Sequence, residues 1–177
     1  VIMNFITKDD LIAFMHKVPD SEDSQPESYC KSAMETVADY LGYNPELQEY
    51  TQTIKGDGGA LAALKALPIN AISAFSVDGV ESDPAGLEVE DMNYICFKDN
   101  SVFAKGSRYE VSFSAGWENV PEIIKTTALQ IASLYWESAG GNLAVSSTSF
   151  ADTGSRVFNN FASDRFLKQI AKYRRVF

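Results

Sequence analysis

Residues 109–121 read YEVSFSAGWENVP, and they join a strand pattern to the longest helix pattern of the chain. Positions 109–113 carry β-favouring side chains in alternation with polar ones, which predicts a strand. The Ser-Ala-Gly-Trp segment that follows interrupts the sheet pattern, and Pro121 is favourable in the first turn of a helix. We expect the fold to be built around this junction of a strand and a long helix.

The helix that begins at Pro121 is predicted to extend to about residue 138, and its apolar residues cover nearly every face. A helix that is apolar all round lies in the centre of a protein, or against both a core and a neighbouring subunit. Further helices are expected at residues 8–17, 27–41 and 162–175. Thr7 can cap the first of these helices together with Asp10, whose side chain can reach back to the start of the helix, and Gly42 can end the second.

The middle of the chain has the periodicity of strands, separated by turn residues such as Asp78-Gly79. The runs lie at residues 50–54, 69–77, 93–97, 102–104 and 109–113, which is typical of an antiparallel meander. Residues 60–67 are compatible with a helix or with a short irregular piece. We therefore predict an α+β fold in a single domain, residues 1–177: mainly an α-helical bundle around a long central helix, with a small antiparallel β-sheet in a β-rich insertion at about residues 48–114.

The charge of the chain is acidic overall and unevenly distributed. The net charge is −9; residues 1–60 carry 4 basic and 11 acidic side chains, residues 61–120 carry 4 and 9, and residues 121–177 carry 7 and 4. An acidic body argues against sequence-independent binding of nucleic acid, which needs many Lys and Arg side chains on one surface. Two interpretations stay open: head-to-tail association between copies, or solvated faces that support solubility.

The sequence predicts no catalytic, metal or cofactor residue. His16 is the only histidine, and neither a nucleophile elbow nor an oxyanion loop lies near it. Cys30 and Cys96 have no second Cys or His at metal-ligand spacing, and both are expected to be reduced core residues. The apolar runs are far shorter than the roughly 18 residues needed to cross a bilayer, so no membrane partner is predicted.

Some polar segments are similar to ligand loops only in part. The glycine-rich residues 55–59 lack the Gly-Lys-Ser/Thr ending of a phosphate-binding loop, and we interpret them as a hairpin turn. The acidic residues 78–83 have an apolar side chain where a calcium loop needs a ligand. Glu88, Glu90 and Asp91 could pair as general acid and base, but with no apolar pocket around them we expect solvated loop acids.

Several motifs together resemble the head–tail connector (adaptor) proteins of long-tailed bacteriophages and prophages. The junction carries the fold motif Gly116, Trp117 and Pro121. These residues are similar to that family's Ala-Gly-aromatic turn and to the Val-Pro start of its long helix. Residues 33–43, AMETVADYLGY, resemble its second helix.

Two further segments extend the resemblance, and two depart from it. Leu67-Pro68-Ile69, followed by Val77-Asp78-Gly79, resembles the family's Pro-Ile strand and turn, and residues 166–175 resemble its Tyr-Arg-Arg helix. The acidic loop at residues 82–90 departs from the family's pattern. So does the Ser/Thr/Asn-rich stretch at residues 146–160, which could be mobile until a partner orders it.

The resemblance implies a non-enzymatic virion structural protein, in a ring of about a dozen copies below the portal, that extends the DNA channel and joins capsid to tail. Its partners would be the portal protein, sister subunits and the next connector or tail protein, with DNA only as passing cargo. It would lie in the virion neck, and in the bacterial host cytoplasm during assembly. An acidic channel wall fits this role because it repels DNA phosphates.

Two surfaces are expected to make the contacts of such a protein. The basic C-terminal helix would contact the portal or an adjacent subunit through Lys168, Lys172, Arg174 and Arg175. The long helix would lie at the ring interface through Ile124, Leu129, Tyr135 and Trp136. A tail-completion or other monomeric assembly adaptor of the same virus is an alternative, as is an enzyme of unrecognised type.

Overall fold

The computed structural model describes residues 3–16, 25–139, 147–150, 154–157 and 162–175. Its helices are α1 (Lys8–Met15), α2 (Gln25–Leu41), α3 (Glu122–Ala139) and α4 (Ala162–Leu167), the last continued by a 3-10 helix at Lys168–Tyr173. Its strands are β1 (Gln48–Lys55), β2 (Leu61–Ala63), β3 (Ile69–Val77), β4 (Val80–Ser82), β5 (Leu87–Glu90), β6 (Tyr94–Phe97), β7 (Arg108–Ala115), β8 (Ser147–Phe150) and β9 (Gly154–Val157). The chain divides into two compact units: a helical unit, Val1–Leu41 with Pro121–Arg174, and a sheet unit, Gly42–Val120 with Arg175–Phe177.

The first helix of the helical unit, α1, has a capping box at its N-terminus. Thr7 Oγ1 accepts the amide of Asp10 at 3.2 Å, and the Asp10 carboxylate accepts the amide of Thr7 at 2.8 Å, which confirms the predicted cap. α2 packs on α3, and the core contains aliphatic side chains with no more than 2% of their surface exposed: Ile6, Leu11, Val37, Leu41, Ile124, Ile131 and Ile170. Each such burial stabilises the unit by about 1.5–3 kcal/mol.

The sheet unit contains a four-stranded antiparallel sheet in the order β1-β7-β3-β4. β7 lies inside this sheet, and its residues alternate between buried and more exposed positions, so one face of the sheet is covered. A three-stranded antiparallel sheet follows the order β2-β6-β5. The rings of the sheet-unit core are in mutual contact, with 4.8 Å between the centroids of Phe97 and Phe103 and 5.1 Å between those of Phe103 and Tyr109.

The predicted fold class is wrong. The chain is not a helical bundle around a long central helix, because residues 42–120 form a unit with two antiparallel sheets and a core of its own. The apolar pattern of α3 suggested a central position, but its buried side chains form one stripe along the helix: Ile124, Thr127, Ala128, Ile131 and Ala132. Large side chains such as Phe103 and Phe113 build the second core from the strand region instead.

Most predicted strands are confirmed, but their pairing differs from a meander. β1, β3, β6 and β7 lie at the predicted runs, yet β7 pairs with both β1 and β3. Residues 102–104 form no strand; Phe103 instead exchanges backbone hydrogen bonds with Gly58 and Gly59. Residues 60–67 contain the short strand β2, and the predicted acidic loop at 82–90 contains β5.

The C-terminal part also differs from the prediction. The helix expected at residues 162–175 is α-helical only to Leu167 and then tightens into the 3-10 helix. Within the stretch 146–160, residues 147–150 and 154–157 pair as the β8–β9 hairpin. The rest of that stretch, and residue 17 at the end of the first predicted helix, lie outside the described residues.

Candidate assembly surfaces

Gly116 lies where β7 ends, and two neighbouring segments enclose its backbone. Its φ of +108° favours glycine, and a Cβ atom at this position would overlap the carbonyl oxygen of Glu46. The Gly116 amide donates to the Pro68 carbonyl at 2.9 Å, and its own carbonyl accepts Asn70 Nδ2 at 2.7 Å. The fold therefore requires glycine at this position.

Trp117 and Pro121 continue the junction toward α3. The Trp117 amide donates to the Pro45 carbonyl at 2.9 Å, and the Trp117 carbonyl accepts the Leu47 amide at 3.1 Å. The Pro121 carbonyl accepts the Ile124 amide at 2.9 Å, so Pro121 stands at the first turn of the helix. The backbone before β1 thus fixes the junction, and α3 starts directly after it.

The two C-terminal arginines have partners within the chain. Arg175 Nη1 donates to the Lys65 carbonyl at 2.9 Å, and burial lowers the pKa of its guanidinium, an effect that nearby Tyr94 opposes. The Arg174 guanidinium lies over the ring of Tyr40, 5.3 Å from its centroid. Both arginines therefore take part in the chain's own fold.

The two lysines of the predicted basic contact are exposed on the 3-10 helix. Ile170, which lies between them, is fully buried and anchors this helix. With a rise of about 2 Å per residue, Lys168 and Lys172 stand about 8 Å apart along the axis. Lys172 Nζ also lies 4.8 Å from the ring centroid of Tyr173. The structure therefore exposes the two lysine side chains on a helix that the buried Ile170 side chain fixes to the core.

The α3 residues predicted for a ring interface do not share one environment. Ile124 is fully buried in the core of the helical unit. Tyr135 is half-buried, and its hydroxyl lies 3.0 Å from Thr36 Oγ1 of α2. Leu129 and Trp136 are half-buried too, and their spacing of seven residues places them on the same side of α3. A ring contact through α3 would therefore involve Leu129 and Trp136 more directly than Ile124.

A further exposed surface belongs to the three-stranded sheet, and the sequence reasoning missed it. The strand register places these residues on one face, each half-exposed or exposed: Leu61, Ala63, Glu88, Glu90, Tyr94 and Cys96. We call the three-stranded sheet the second sheet, and this surface the outer face of the second sheet. Within the described residues, β5 pairs only with β6, so it is an edge strand. The alternation Leu87-Glu88-Val89-Glu90 was the available signal, because charged side chains commonly protect edge strands.

Both cysteine thiols are free, but only Cys30 is a core residue as expected; Cys96 is half-exposed on the outer face of the second sheet. Burial, followed by the charges of Asp10 and Glu27, raises the pKa of Cys30 to about 11. Desolvation, together with the Glu88 carboxylate, raises the pKa of Cys96. Because the thiolate is the nucleophilic form, these environments leave both thiols unactivated.

In the glycine-rich turn at residues 55–59, backbone amides donate hydrogen bonds to acceptors within the chain. The Gly56 amide donates to the Ser107 carbonyl at 2.9 Å, and the Gly59 amide donates to Asp57 Oδ1 at 2.7 Å. Among the described residues, no group of three or more His, Cys, Asp or Glu side chains could hold a metal ion. In the same part of the chain, every helix is too short or too polar to pass through a membrane.

Comparison with known protein families gives a match over most of the chain. Residues 4–160 match the family described as head completion protein. The chain belongs to the head completion protein family. This membership confirms the resemblance to head–tail connector proteins and, together with the structural matches, supports a structural role as a head–tail adaptor.

Solved structures of gene transfer agent (GTA) particles contain chains with this fold. A chain in the neck of an empty GTA particle, computed with C6 symmetry, matches with a TM-score of 0.67 and 18% identity, over 100% of this chain and 94% of that chain. A chain in the virion of a native GTA particle matches with a TM-score of 0.67 and 14% identity, over 100% and 94%. One in the neck of a native GTA particle, computed with C12 symmetry, matches at 0.60 and 17%, over 100% and 97%. The search of curated proteins found no match.

Proposed function

We propose that the chain is a head–tail connector that forms a ring of about a dozen copies below the portal protein. The ring extends the DNA channel and offers a platform to the next connector or tail protein, and DNA passes through it only as cargo. The chain acts as a structural part of the virion neck without enzymatic activity, and it is assembled in the bacterial host cytoplasm.

The observation that carries this proposal is the family match over residues 4–160, joined to a fold shared along the whole chain with chains of GTA particles. The necks among those particles were computed with C6 and C12 symmetry. Rotational symmetry of this kind describes rings of identical copies. The net charge of −9 also suits a channel that must let DNA slide, since acidic walls repel phosphates.

The predicted contact residues take different parts in this proposal. Lys168 and Lys172 are exposed and contact another protein, whereas Arg174 contacts the ring of Tyr40 and Arg175 donates to the Lys65 carbonyl of the same chain. In the ring interface, Leu129 and Trp136 face a sister subunit. Tyr135 and the buried Ile124 support them from within the helical unit, and the fold motif Gly116, Trp117 and Pro121 spans the end of β7 and the start of α3.

Complementation of heads tests this function directly. Heads purified from a producer strain that lacks this protein should bind the added wild-type chain, show a ring at the portal vertex by electron microscopy, and then accept tails. A chain that binds as a single copy would favour the monomeric adaptor, and sedimentation with and without portal protein separates the two. Failure of the chain to bind such heads would remove the proposal.

A further inference from the structure

We propose that the outer face of the second sheet forms one half of the contact between neighbouring copies. The other half is the 3-10 helix Lys168–Tyr173 of a second copy. This inference rests on the proposed function, which requires contacts between copies and assigns Leu129 and Trp136 of α3 to them, but does not say what the exposed lysines Lys168 and Lys172 contact.

The outer face of the second sheet has the features of a surface that becomes covered. Leu61 on this face keeps 44% of its surface exposed. Met92, in the turn after β5, is 55% exposed. The outer backbone edge of β5 pairs with no other strand in the described residues. Exposed apolar side chains beside an open strand edge are common where another protein binds.

Charge complementarity selects the occupant of this face. Glu88 and Glu90 lie exposed on the outer face itself, and none of the six residues of this face is basic. The basic side of the match lies on the 3-10 helix, where Lys168 and Lys172 are exposed. The two carboxylates would repel DNA phosphates and attract these ammonium groups, so the face suits a second copy of this chain.

The spacing of the charges allows two ion pairs to form together. Glu88 and Glu90 are two residues apart on one strand face, which places their Cα atoms about 6.5 Å apart. Lys168 and Lys172 are about 8 Å apart along the 3-10 axis and about 120° apart around it, an offset that long, flexible lysine side chains can span. Within the described residues, none of these four side chains forms an ion pair.

The two surfaces belong to different parts of the chain, so the contact is heterologous. A contact of one surface with its own copy stops at a dimer, whereas a contact between two different surfaces repeats from copy to copy and closes into a ring when the rotation allows. The proposed contact therefore has the symmetry that a connector ring needs.

A charge exchange between copies tests the contact. One variant carries Glu88→Lys and Glu90→Lys, and the other carries Lys168→Glu and Lys172→Glu. Each variant alone sets like charges against each other, so it should require at least about tenfold more protein to form rings on connector-free heads. An equimolar mixture should restore assembly, because every junction in an alternating ring again joins lysine to glutamate. A misfolded variant could not be rescued in this way.

The matched control replaces two exposed lysines outside the proposed contact, both of them in the sheet unit. Lys55→Glu with Lys105→Glu makes the same change in net charge as Lys168→Glu with Lys172→Glu, and it should leave assembly unchanged. Assembly is measured by sedimentation velocity for the free chain and by the occupancy of the ring in electron micrographs of heads.

The native thiol on the outer face allows an independent test by cross-linking. In a Lys172→Cys variant bound to heads, mild oxidation should join the introduced thiol to Cys96 of the adjacent copy and give a ladder of covalent multimers on a non-reducing gel. Adding Cys96→Ser should abolish the ladder, and Lys105→Cys should not produce one. Cys30 does not compete, because only 3% of its surface is exposed.

The outcomes separate this contact from the proposed function. If the wild-type chain forms rings on heads but the mixture is not restored and no ladder appears, the copies meet elsewhere and the connector function stands. If the lysine variant loses head binding and the acidic-face variant retains it, the lysines contact the portal instead, and the proposed contact is overturned. If the wild-type chain neither forms rings nor binds heads, both proposals fail.

Discussion

The sheet unit and the helical unit are stabilised in different ways. In the sheet unit, stability is concentrated at a few positions, such as the ring of Phe103 and the enclosed backbone of Gly116. In the helical unit, burial is spread over aliphatic side chains such as Leu11, Ile124 and Ile131, and the first helix depends on the cap at Thr7. Substitutions at the aromatic ring of Phe103 and at the enclosed Gly116 of the sheet unit should therefore be costly, whereas loss of the cap at Thr7 in the helical unit should cost little.

The largest expected effect is that of Phe103→Ala. The ring is 1% exposed and contacts those of Phe97 and Tyr109, so its removal leaves a cavity and should lower the free energy of unfolding by about 4 kcal/mol. Chemical denaturation followed by circular dichroism measures the loss. The adjacent Val102 is 51% exposed, and Val102→Ala should change stability by less than about 0.5 kcal/mol. Equal effects of the two substitutions would contradict the concentration of stability in the aromatic core.

Gly116→Ala should have the next largest effect, about 3 kcal/mol. The left-handed backbone costs about 1–2 kcal/mol for a residue with a Cβ atom, and displacement of the Glu46 backbone adds to it. Gly58→Ala separates the two contributions, because Gly58 has a φ of +92° but no heavy atom within 4 Å of an added Cβ. It should cost only the backbone strain in the same denaturation experiment. If both variants lose the same stability, close approach is not what demands glycine at position 116.

Local patterns predicted the parts of the fold that depend on neighbouring residues. The capping pair Thr7 and Asp10 and the run that became β3 could be identified because their determinants lie within a few residues. The position of β7 between β1 and β3 could not, since periodicity says which face of a strand is buried but not which strand it pairs with. β5 was interpreted as a loop because Glu88 and Glu90 outweigh two apolar residues in so short a segment.

For the candidate surfaces, too, the sequence predicted what depends on residue type and missed what depends on contacts between distant parts of the chain. Lys168 and Lys172 were found from their charge, because exposed charge follows directly from residue type. The carbonyl partner of Arg175 belongs to Lys65, 110 residues earlier in the chain, and no local signal connects the two. The outer face of the second sheet exists only once β5 pairs with β6, so it required the structure.

Cys30 should make the stability of the helical unit depend on alkaline pH. Its thiol pKa is about 11 in the folded chain and about 9.0 when unfolded. The stabilisation of the folded state by the buried, protonated thiol is therefore fully present below pH 9 and is lost as the pH rises to 11. The unfolded chain releases the proton first, which lowers the free energy of unfolding by about 2–3 kcal/mol over that interval. Unfolding curves of the wild type and of Cys30→Ala from pH 7 to 11 measure the difference. Parallel pH profiles of the two proteins would refute the assignment, and Cys96→Ala controls for the other thiol.

Thr7→Ala should have the smallest effect and defines the lower end of the comparison. It removes the side-chain acceptor for the Asp10 amide but leaves the core intact, so the expected loss is about 1 kcal/mol. Thr53→Ala, at an exposed strand position without a cap, is the matched control. A cycle that combines Thr7→Ala with Asp10→Ala should be less than additive, because each residue satisfies an amide of the other. If Thr7→Ala instead cost as much as Phe103→Ala, the helical unit would also depend on single positions, and the contrast between the two units would not hold.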